Sequence, residues 1–157
     1  TTGIQANDLL FRKLMRDQGA TAKVVFGEVQ STAQALAASG KPELQAIGQR
    51  LASALKAWIA ATEWLAANAK TGLSGALAAA VPYMHLAVTV CGGWLMGKAA
   101  LAAAGYLDRG EGDLPFYRAK IATARFYADH LLPQAVAYAE TVMAGDAALA
   151  GMGDELF

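Results

Sequence analysis

The sequence predicts an all-α protein: an antiparallel, up-down four-helix bundle with a short extra helix at the N-terminus. Apolar residues recur at steps of three and four along most of the chain, which is the period of an amphipathic helix. Alternating patterns rich in β-branched residues, which would indicate strands, are missing. The breaks between the apolar runs are short, and short breaks are typical of antiparallel neighbours in a helical bundle.

A glycine separates the first two predicted helices. Leu10 and Leu14 lie in a short first helix, which Gly19 can close. A second helix is predicted over about 20–38, because its apolar side chains follow the helical period. These side chains are Val25, Phe26, Val29, Ala33 and Leu36.

Proline and serine mark the starts of the next two helices. Pro42 stands where a helix tolerates proline, at its first position, so a long third helix is predicted over about 42–70. The stretch TGLSG breaks this helix, and Ser74 is the predicted N-cap of a fourth helix that reaches about residue 107.

A last helix is predicted over about 115–143, with Asp113 as its cap. Pro133 is expected to bend this helix, because proline removes one internal hydrogen bond. Residues 146–157 are predicted to form an irregular tail.

Composition limits the partners of the chain. Of its 157 residues, 55% are hydrophobic and 17% are charged, so much apolar surface must be buried or must meet a partner. Thirteen basic residues balance thirteen acidic ones without a basic cluster, which gives no electrostatic case for a nucleic-acid partner. The single cysteine, Cys91, excludes an internal disulfide and suits a reducing cytoplasm.

The stretch from Leu73 to Gly97 carries no Asp, Glu, Lys or Arg. It is long enough to pass the length test for a membrane span. Much of it is alanine and glycine, which are only mildly apolar, and Pro82 interrupts it. The favoured interpretation is therefore a central bundle helix that is buried nearly all round, and a membrane partner is not expected.

Small residues recur within this fourth helix at Gly92, Gly93 and Gly97. Spacing of this kind lets the backbones of two helices approach closely. We expect Trp58 or Trp64, on the facing third helix, to lie over these glycines.

The histidines and the cysteine do not predict a catalytic group. His85 lies in the apolar helix and is expected to be a satisfied core histidine. Asp129 and His130 are adjacent, and adjacent residues point to different faces of a helix, so no dyad is expected. Cys91 is expected to be a small core residue, because nothing near it in sequence would lower its pKa.

The acidic loop with Asp108, Glu111 and Asp113 lacks the twelve-residue pattern of a calcium loop and predicts a solvated turn, and no metal site is expected. Neither histidine has a glutamate three residues before it, as a di-iron bundle requires. Phosphate-loop, nucleophile-elbow and zinc-protease motifs are missing from the sequence. Composition and spacing alone thus indicate a helical packing or interaction module without an active site of its own.

Two stretches resemble the acyl-CoA dehydrogenase family. The opening TTGIQ is similar to the Thr-x-x-Ile-Gln part of a Tyr-Glu-Gly-Thr-x-x-Ile-Gln run, which holds the catalytic glutamate of that family. The segment from Gly92 to Ala135 is similar to the C-terminal extension of a bacterial branch that includes enzymes for 3-methylmercaptopropionyl-CoA. The resemblance implies a C-terminal fragment, with Tyr-Glu-Gly expected directly before residue 1.

The resemblance implies a reaction and a division of the chain. In this family a glutamate removes the α-proton of an acyl thioester, and FAD takes the β-hydrogen as hydride, which gives the 2,3-enoyl-CoA. Residues 1–19 would end the catalytic region, residues 20–145 would form the helical extension, and residues 146–157 would form the tail.

Three residues match the family segment that contacts FAD: Thr1, Thr2 and Gly3. Gly3 stands where glutamine or asparagine is often found, so a side-chain contact is not expected there. The family's catalytic base has no counterpart in this chain, so the resemblance implies a fragment that is inactive and free of FAD when alone.

The resemblance also implies partners: the rest of the acyl-CoA dehydrogenase chain, an acyl-CoA substrate for the parent enzyme, and further copies in a homo-oligomer. This part would be a structural cap or an oligomer contact. One alternative is an independent helical interaction or oligomerisation module without enzymatic activity, which the high apolar content and low charge favour. Another is membrane association through the helix over 73–97.

Overall fold

The computed structural model describes residues 2–68 and 73–146, and all regular elements within these ranges are helical, which confirms the all-α prediction. Nearly all of the predicted tail lies outside the described residues. The helices are α1 (Thr2–Asn7), which continues into a π-helical segment (Asp8–Leu14), then α2 (Ala20–Ala37), α3 (Pro42–Asn68), α4 (Leu73–Arg109), α5 (Leu114–His130) and α6 (Gln134–Met143).

Glycine and aspartate set two helix starts where the sequence predicts them. Gly19 precedes α2 with φ of 80°, a left-handed conformation that glycine adopts without strain. The carboxylate of Asp17 accepts hydrogen bonds of 3.0 Å from the backbone N–H groups of Gly19 and Thr21. Asp113 caps α5 by accepting a 3.0 Å hydrogen bond from the backbone N–H of Phe116.

Two helix boundaries differ from the prediction. The expected bent last helix is two helices, α5 and α6, with a turn over 131–133 between them. Pro133 lacks an N–H and its ring displaces the preceding turn, so the helix ends and restarts there. Ser74, the expected cap, lies inside α4, where its hydroxyl donates a hydrogen bond to the carboxylate of Asp146.

The other described elements all pack against α4, which contacts α1, the π-helical segment, α2, α3, α5 and α6. Side chains from neighbouring segments lie close to the glycines of α4. Gly92 meets the Tyr127 hydroxyl, and Gly93 meets the end of the Leu132 side chain. Gly97 faces Leu36, whose Cδ1 would lie 2.9 Å from a β-carbon at that glycine.

The tryptophans expected over these glycines have other nearest contacts. Trp58 packs edge-on against Phe26, with ring centres 4.9 Å apart. Trp64 lies beside Gly145, after α6. The space over Gly92 and Gly93 is filled by Tyr127 of α5 and by Leu132 of the turn after it, and the space over Gly97 is filled by Leu36 of α2.

Contrary to the prediction, α4 is not buried all round. By length and composition, Ser74–Arg109 is the one helix in the described part that could cross a membrane, a test that core helices of soluble proteins also pass. In its most apolar window the mean hydropathy is 1.5, yet only 39% of that window is buried. Its exposed leucine and valine side chains, here called the α4 stripe, are Leu77, Val81, Val88 and Leu95.

The α2–α3 pair depends on one close approach. A β-carbon at Gly48 in α3 would lie 2.9 Å from the carbonyl oxygen of Ala33 and 2.9 Å from Cβ of Leu36, both on α2. Backbone and β-carbon atoms cannot swing away as a side-chain end can, so only glycine fits at this crossing.

We expect Gly48→Ala to lower the free energy of unfolding by about 1–3 kcal/mol, because the added methyl group forces α2 and α3 apart. Gly27→Ala is the matched control: Gly27 is exposed within α2, and an added β-carbon there meets nothing within 4 Å. That variant should gain about 0.5–1 kcal/mol from the better helix propensity of alanine. Urea denaturation measures both, and an undiminished stability of Gly48→Ala would contradict the close contact.

Candidate functional site

The predicted cofactor-contacting segment lies at the edge of the described residues. Thr1 and the side chain of Thr2 fall outside them. Gly3 lies in α1, is exposed, and has nothing within 4 Å of the position that a β-carbon would take. Gly3 therefore has open space on the side where a β-carbon would stand.

An apolar groove of about 540 Å³ lies between the N-terminal elements and α4. We call it the α4 groove. One wall comes from the π-helical segment and α2, the other from α4, and Trp58 reaches it from α3. Its main apolar side chains are Leu9, Leu14, Val25, Trp58, Val88 and Leu95.

Sequence reasoning did not find this groove. The available signal is the uncharged run over 73–97, which by itself predicts a buried helix. Val88 is 63% exposed and Leu95 is 56% exposed, so part of that run faces outward. An uncharged run on a helix that also has an open face indicates a surface that another group covers.

Buried hydrogen bonds lie beneath the groove. The hydroxyl of Thr62 donates to the carbonyl oxygen of Trp58 at 2.8 Å. Thr62 Oγ1 also lies 2.9 Å from the Tyr83 hydroxyl, and because its own proton is committed, Tyr83 is the donor in that bond. Burial raises the pKa of the Tyr83 hydroxyl, although Thr62 and the Trp58 indole oppose the change, so this group stays a neutral donor. The Trp58 indole N–H is buried and makes no hydrogen bond of ordinary geometry with the described residues.

The structure also places Cys91 and His85, for which the sequence predicts core positions. Cys91 is half-buried and lines the groove, and burial raises the pKa of its thiol. His85 is exposed and stacks on Tyr138 with ring centres 5.6 Å apart, so the expectation of a core histidine is wrong. His85 lies on an exposed part of α4. The apolar composition of the helix does not indicate that exposure.

Asp129 and His130 have different partners. The Asp129 carboxylate accepts a 2.6 Å hydrogen bond from Arg125 and lies 3.6 Å from Nε of Arg50. The hydrogen bond and charge of Arg125, with a smaller contribution from Arg50, hold the pKa of Asp129 below its ordinary value. His130 instead contacts the ring of Phe126, with centres 4.6 Å apart.

The acidic loop is divided among separate partners. Asp108 pairs with Lys41, and Glu111 accepts a 2.7 Å hydrogen bond from Arg109, while Asp113 caps α5. Within residues 2–68 and 73–146, no group of three or more His, Cys, Asp or Glu side chains is placed to hold a metal ion. These carboxylates thus stabilise helix ends and connections.

Residues 25–153 match the family described as acetyl-CoA dehydrogenase C-terminal like. The chain belongs to this family. The resemblance identified from the two motifs is thereby confirmed, and the match spans most of α2 and all of α3 to α6. It includes the α4 wall of the groove and begins after the π-helical wall.

Two curated relatives carry the same region. The chain is 42% identical over 132 residues to 3-methylmercaptopropionyl-CoA dehydrogenase of Ruegeria pomeroyi, covering 84% of this chain and 22% of that protein. It is 33% identical over 144 residues to the broad-specificity linear acyl-CoA dehydrogenase FadE5 of Mycobacterium tuberculosis, covering 85% of this chain and 23% of that protein. The chain thus spans less than a quarter of the length of these relatives.

The hydrogen bonds beneath the groove can be tested by two substitutions. We expect Thr62→Val to lower the stability of the folded chain more than Tyr83→Phe does. Valine leaves the Tyr83 hydroxyl buried without an acceptor, which lowers the free energy of unfolding by about 1–3 kcal/mol. Tyr83→Phe leaves Thr62 bonded to the Trp58 carbonyl oxygen, so the loss is about 0.5–1.5 kcal/mol. Chemical denaturation of both variants checks this order, and the opposite order would show that Tyr83 is not the donor.

For the ion pairs, we expect Asp129→Asn to lower the unfolding temperature at pH 7, with a difference that shrinks as the pH falls below about 4. The folded-state pKa of Asp129 is depressed, so its contribution to stability is present above the ordinary carboxyl pKa. That contribution is lost as the pH falls through the folded-state value.

The control for this variant is Glu140→Gln, because Glu140 is exposed on α6 and forms no ion pair with any described residue. Thermal scans from pH 7 to pH 2 compare the two. A difference for Asp129→Asn that does not change with pH would argue against the electrostatic origin.

Proposed function

We propose that this chain is the C-terminal part of a FAD-dependent acyl-CoA dehydrogenase, which oxidises an acyl-CoA to the 2,3-enoyl-CoA. The observation that carries the proposal is the family match over residues 25–153. It is supported by 42% identity to a relative named 3-methylmercaptopropionyl-CoA dehydrogenase and by 33% identity to one named a broad-specificity linear acyl-CoA dehydrogenase. In this proposal residues 1–19 end the catalytic region, residues 20–145 form the helical extension, and residues 146–157 form the tail.

The chain's own contribution to the flavin site is small. FAD, when bound, supplies the acceptor for the hydride that leaves the β-carbon of the acyl group. We assign the contact with FAD to Thr1, Thr2 and Gly3, and the open surroundings of Gly3 suit a backbone contact with a group held mainly by the rest of the enzyme. The catalytic glutamate would precede residue 1, so the chain alone would be inert.

The helical extension would act as a structural cap or an oligomer contact of a cytoplasmic enzyme. Carboxylates such as Asp108 and Asp129 are engaged with basic side chains, which suits a structural role better than proton transfer. We also propose the antiparallel, up-down order for the long helices, with α5 and α6 together as the fourth. The short connections over 38–41 and 110–113 support that order.

A second candidate is an independent helical interaction or oligomerisation module without enzymatic activity. The α4 stripe favours it, because an exposed apolar helix face is a protein-binding surface whichever polypeptide carries it. The two hypotheses differ in what stands before residue 1. Tyr-Glu-Gly at that place supports the dehydrogenase, and an initiator methionine supports the module.

The full-length protein is expected to contain one FAD per chain and to reduce an electron acceptor when an acyl-CoA is added. This chain expressed alone should show no flavin absorbance, because it carries only one edge of the flavin site. Visible absorption spectra and a dye-reduction assay measure both. Replacing the glutamate before residue 1 by glutamine should abolish turnover while flavin remains bound. A full-length protein without flavin would refute the proposal in favour of the interaction module.

A further inference from the structure

We propose that the α4 stripe and the α4 groove form the face on which the dehydrogenase portion of the same polypeptide docks. This inference rests on the proposed function and deepens it, because it assigns the contact between the two parts to one face of the helical extension.

The α4 stripe is unsuited to permanent contact with water. Leu77, Val81, Val88 and Leu95 are 47%, 37%, 63% and 56% exposed, and they recur at helical spacing along one side of α4. No Asp, Glu, Lys or Arg stands anywhere between residues 73 and 97. Contiguous apolar surface of this kind marks an interaction site.

A neighbouring helix shows what a solvated face looks like in this chain. The shorter helix α5 carries Arg118, Lys120, Arg125 and Asp129, and the first two of these are exposed. Since α4 and α5 belong to the same domain, the missing charge on the open side of α4 is specific to that side. It is the composition expected for the centre of an interface.

The stripe and the groove form one continuous surface, because Val88 and Leu95 belong to both. The charged residues that line the groove are Lys13 and Asp17. The Asp17 carboxylate already accepts hydrogen bonds from the start of α2. The groove therefore offers a partner mainly aliphatic and aromatic contacts, which suits apolar side chains of another protein segment.

The position of the groove favours the dehydrogenase portion of the same polypeptide as its occupant. The chain spans 22% and 23% of its two relatives, so more than three quarters of such a polypeptide lies outside it. In the proposed function that portion joins at α1, and α1 and the π-helical segment pack against α4. The π-helical segment is itself a groove wall. The dehydrogenase portion would thus emerge beside the groove at an effective concentration in the ~mM range, an advantage that a second copy or a lipid bilayer lacks.

The test uses Cys91 as a probe, because it is the only cysteine of this chain and lies half-buried in the groove. In the full-length protein, N-ethylmaleimide labelling of the peptide that contains Cys91 is followed by mass spectrometry. The interface variant is Val88→Glu with Leu95→Glu, and the matched control is Phe126→Glu with Val136→Glu. The control side chains are 59% and 43% exposed and lie outside the groove.

We expect the interface variant to label at least tenfold faster than the wild type, and the control to label at the wild-type rate. The new carboxylates disfavour the thiolate and by themselves slow the reaction, so faster labelling reports that Cys91 has been uncovered. Equal rates in the wild type and the interface variant would overturn the proposal. If the double variant loses its helical circular dichroism, Leu95→Gln takes its place, with Phe126→Gln as its control.

Two further outcomes would overturn the proposal in favour of another occupant. Protection of Cys91 that disappears on dilution would assign the face to a second copy of the chain. Protection that arises only on addition of phosphatidylcholine vesicles would assign it to a lipid surface. FAD content and dye reduction are measured on the same full-length samples, so a failure of the docking face with an active flavoenzyme is distinct from a failure of the proposed function.

Discussion

Packing around α4 is the constraint on which the rest of the structure depends. Every other described element contacts this one helix. So many contacts require short distances between the axis of α4 and the axes of its neighbours. Gly92, Gly93 and Gly97 supply them, because the side chains of three neighbouring segments fill the space that larger residues would take. The glycines at these three positions are explained by this crowding around α4.

The open side of α4 has a different origin. One wall of its groove comes from the π-helical segment and α2, and Gly19 and Asp17 form the turn between these two elements. Beneath it, the hydroxyls of Thr62 and Tyr83 are paired within the protein, so the surface presented outward is apolar. A polar surface at the base of the groove would have suited a small charged ligand. The apolar surface that is present suits the apolar side chains of another protein segment.

Features that depend on neighbouring residues could be predicted from the sequence, and features that depend on how the helices pack could not. Gly19 and Asp113 were predictable, since a positive φ and a cap bond involve residues within a few positions of each other. The family was recognisable from the segment over 92–135, which lies within the matched residues 25–153. The exposure of His85 and Val88 depends on which helices surround α4, and the groove joins Leu14 to Val88, far along the chain. Such facing relations follow from tertiary packing, which a periodic pattern does not specify.

The open side of α4 also bears on the colloidal behaviour of the chain. Its formal net charge at pH 7 is zero, so copies in solution repel one another weakly at long range. An uncovered row of leucine and valine side chains then meets little electrostatic opposition to self-association. Separated from whatever covers that row, the domain would combine a well-filled interior with poor solubility at high concentration. Its solubility thus depends on the open face of the same helix around which its other elements pack.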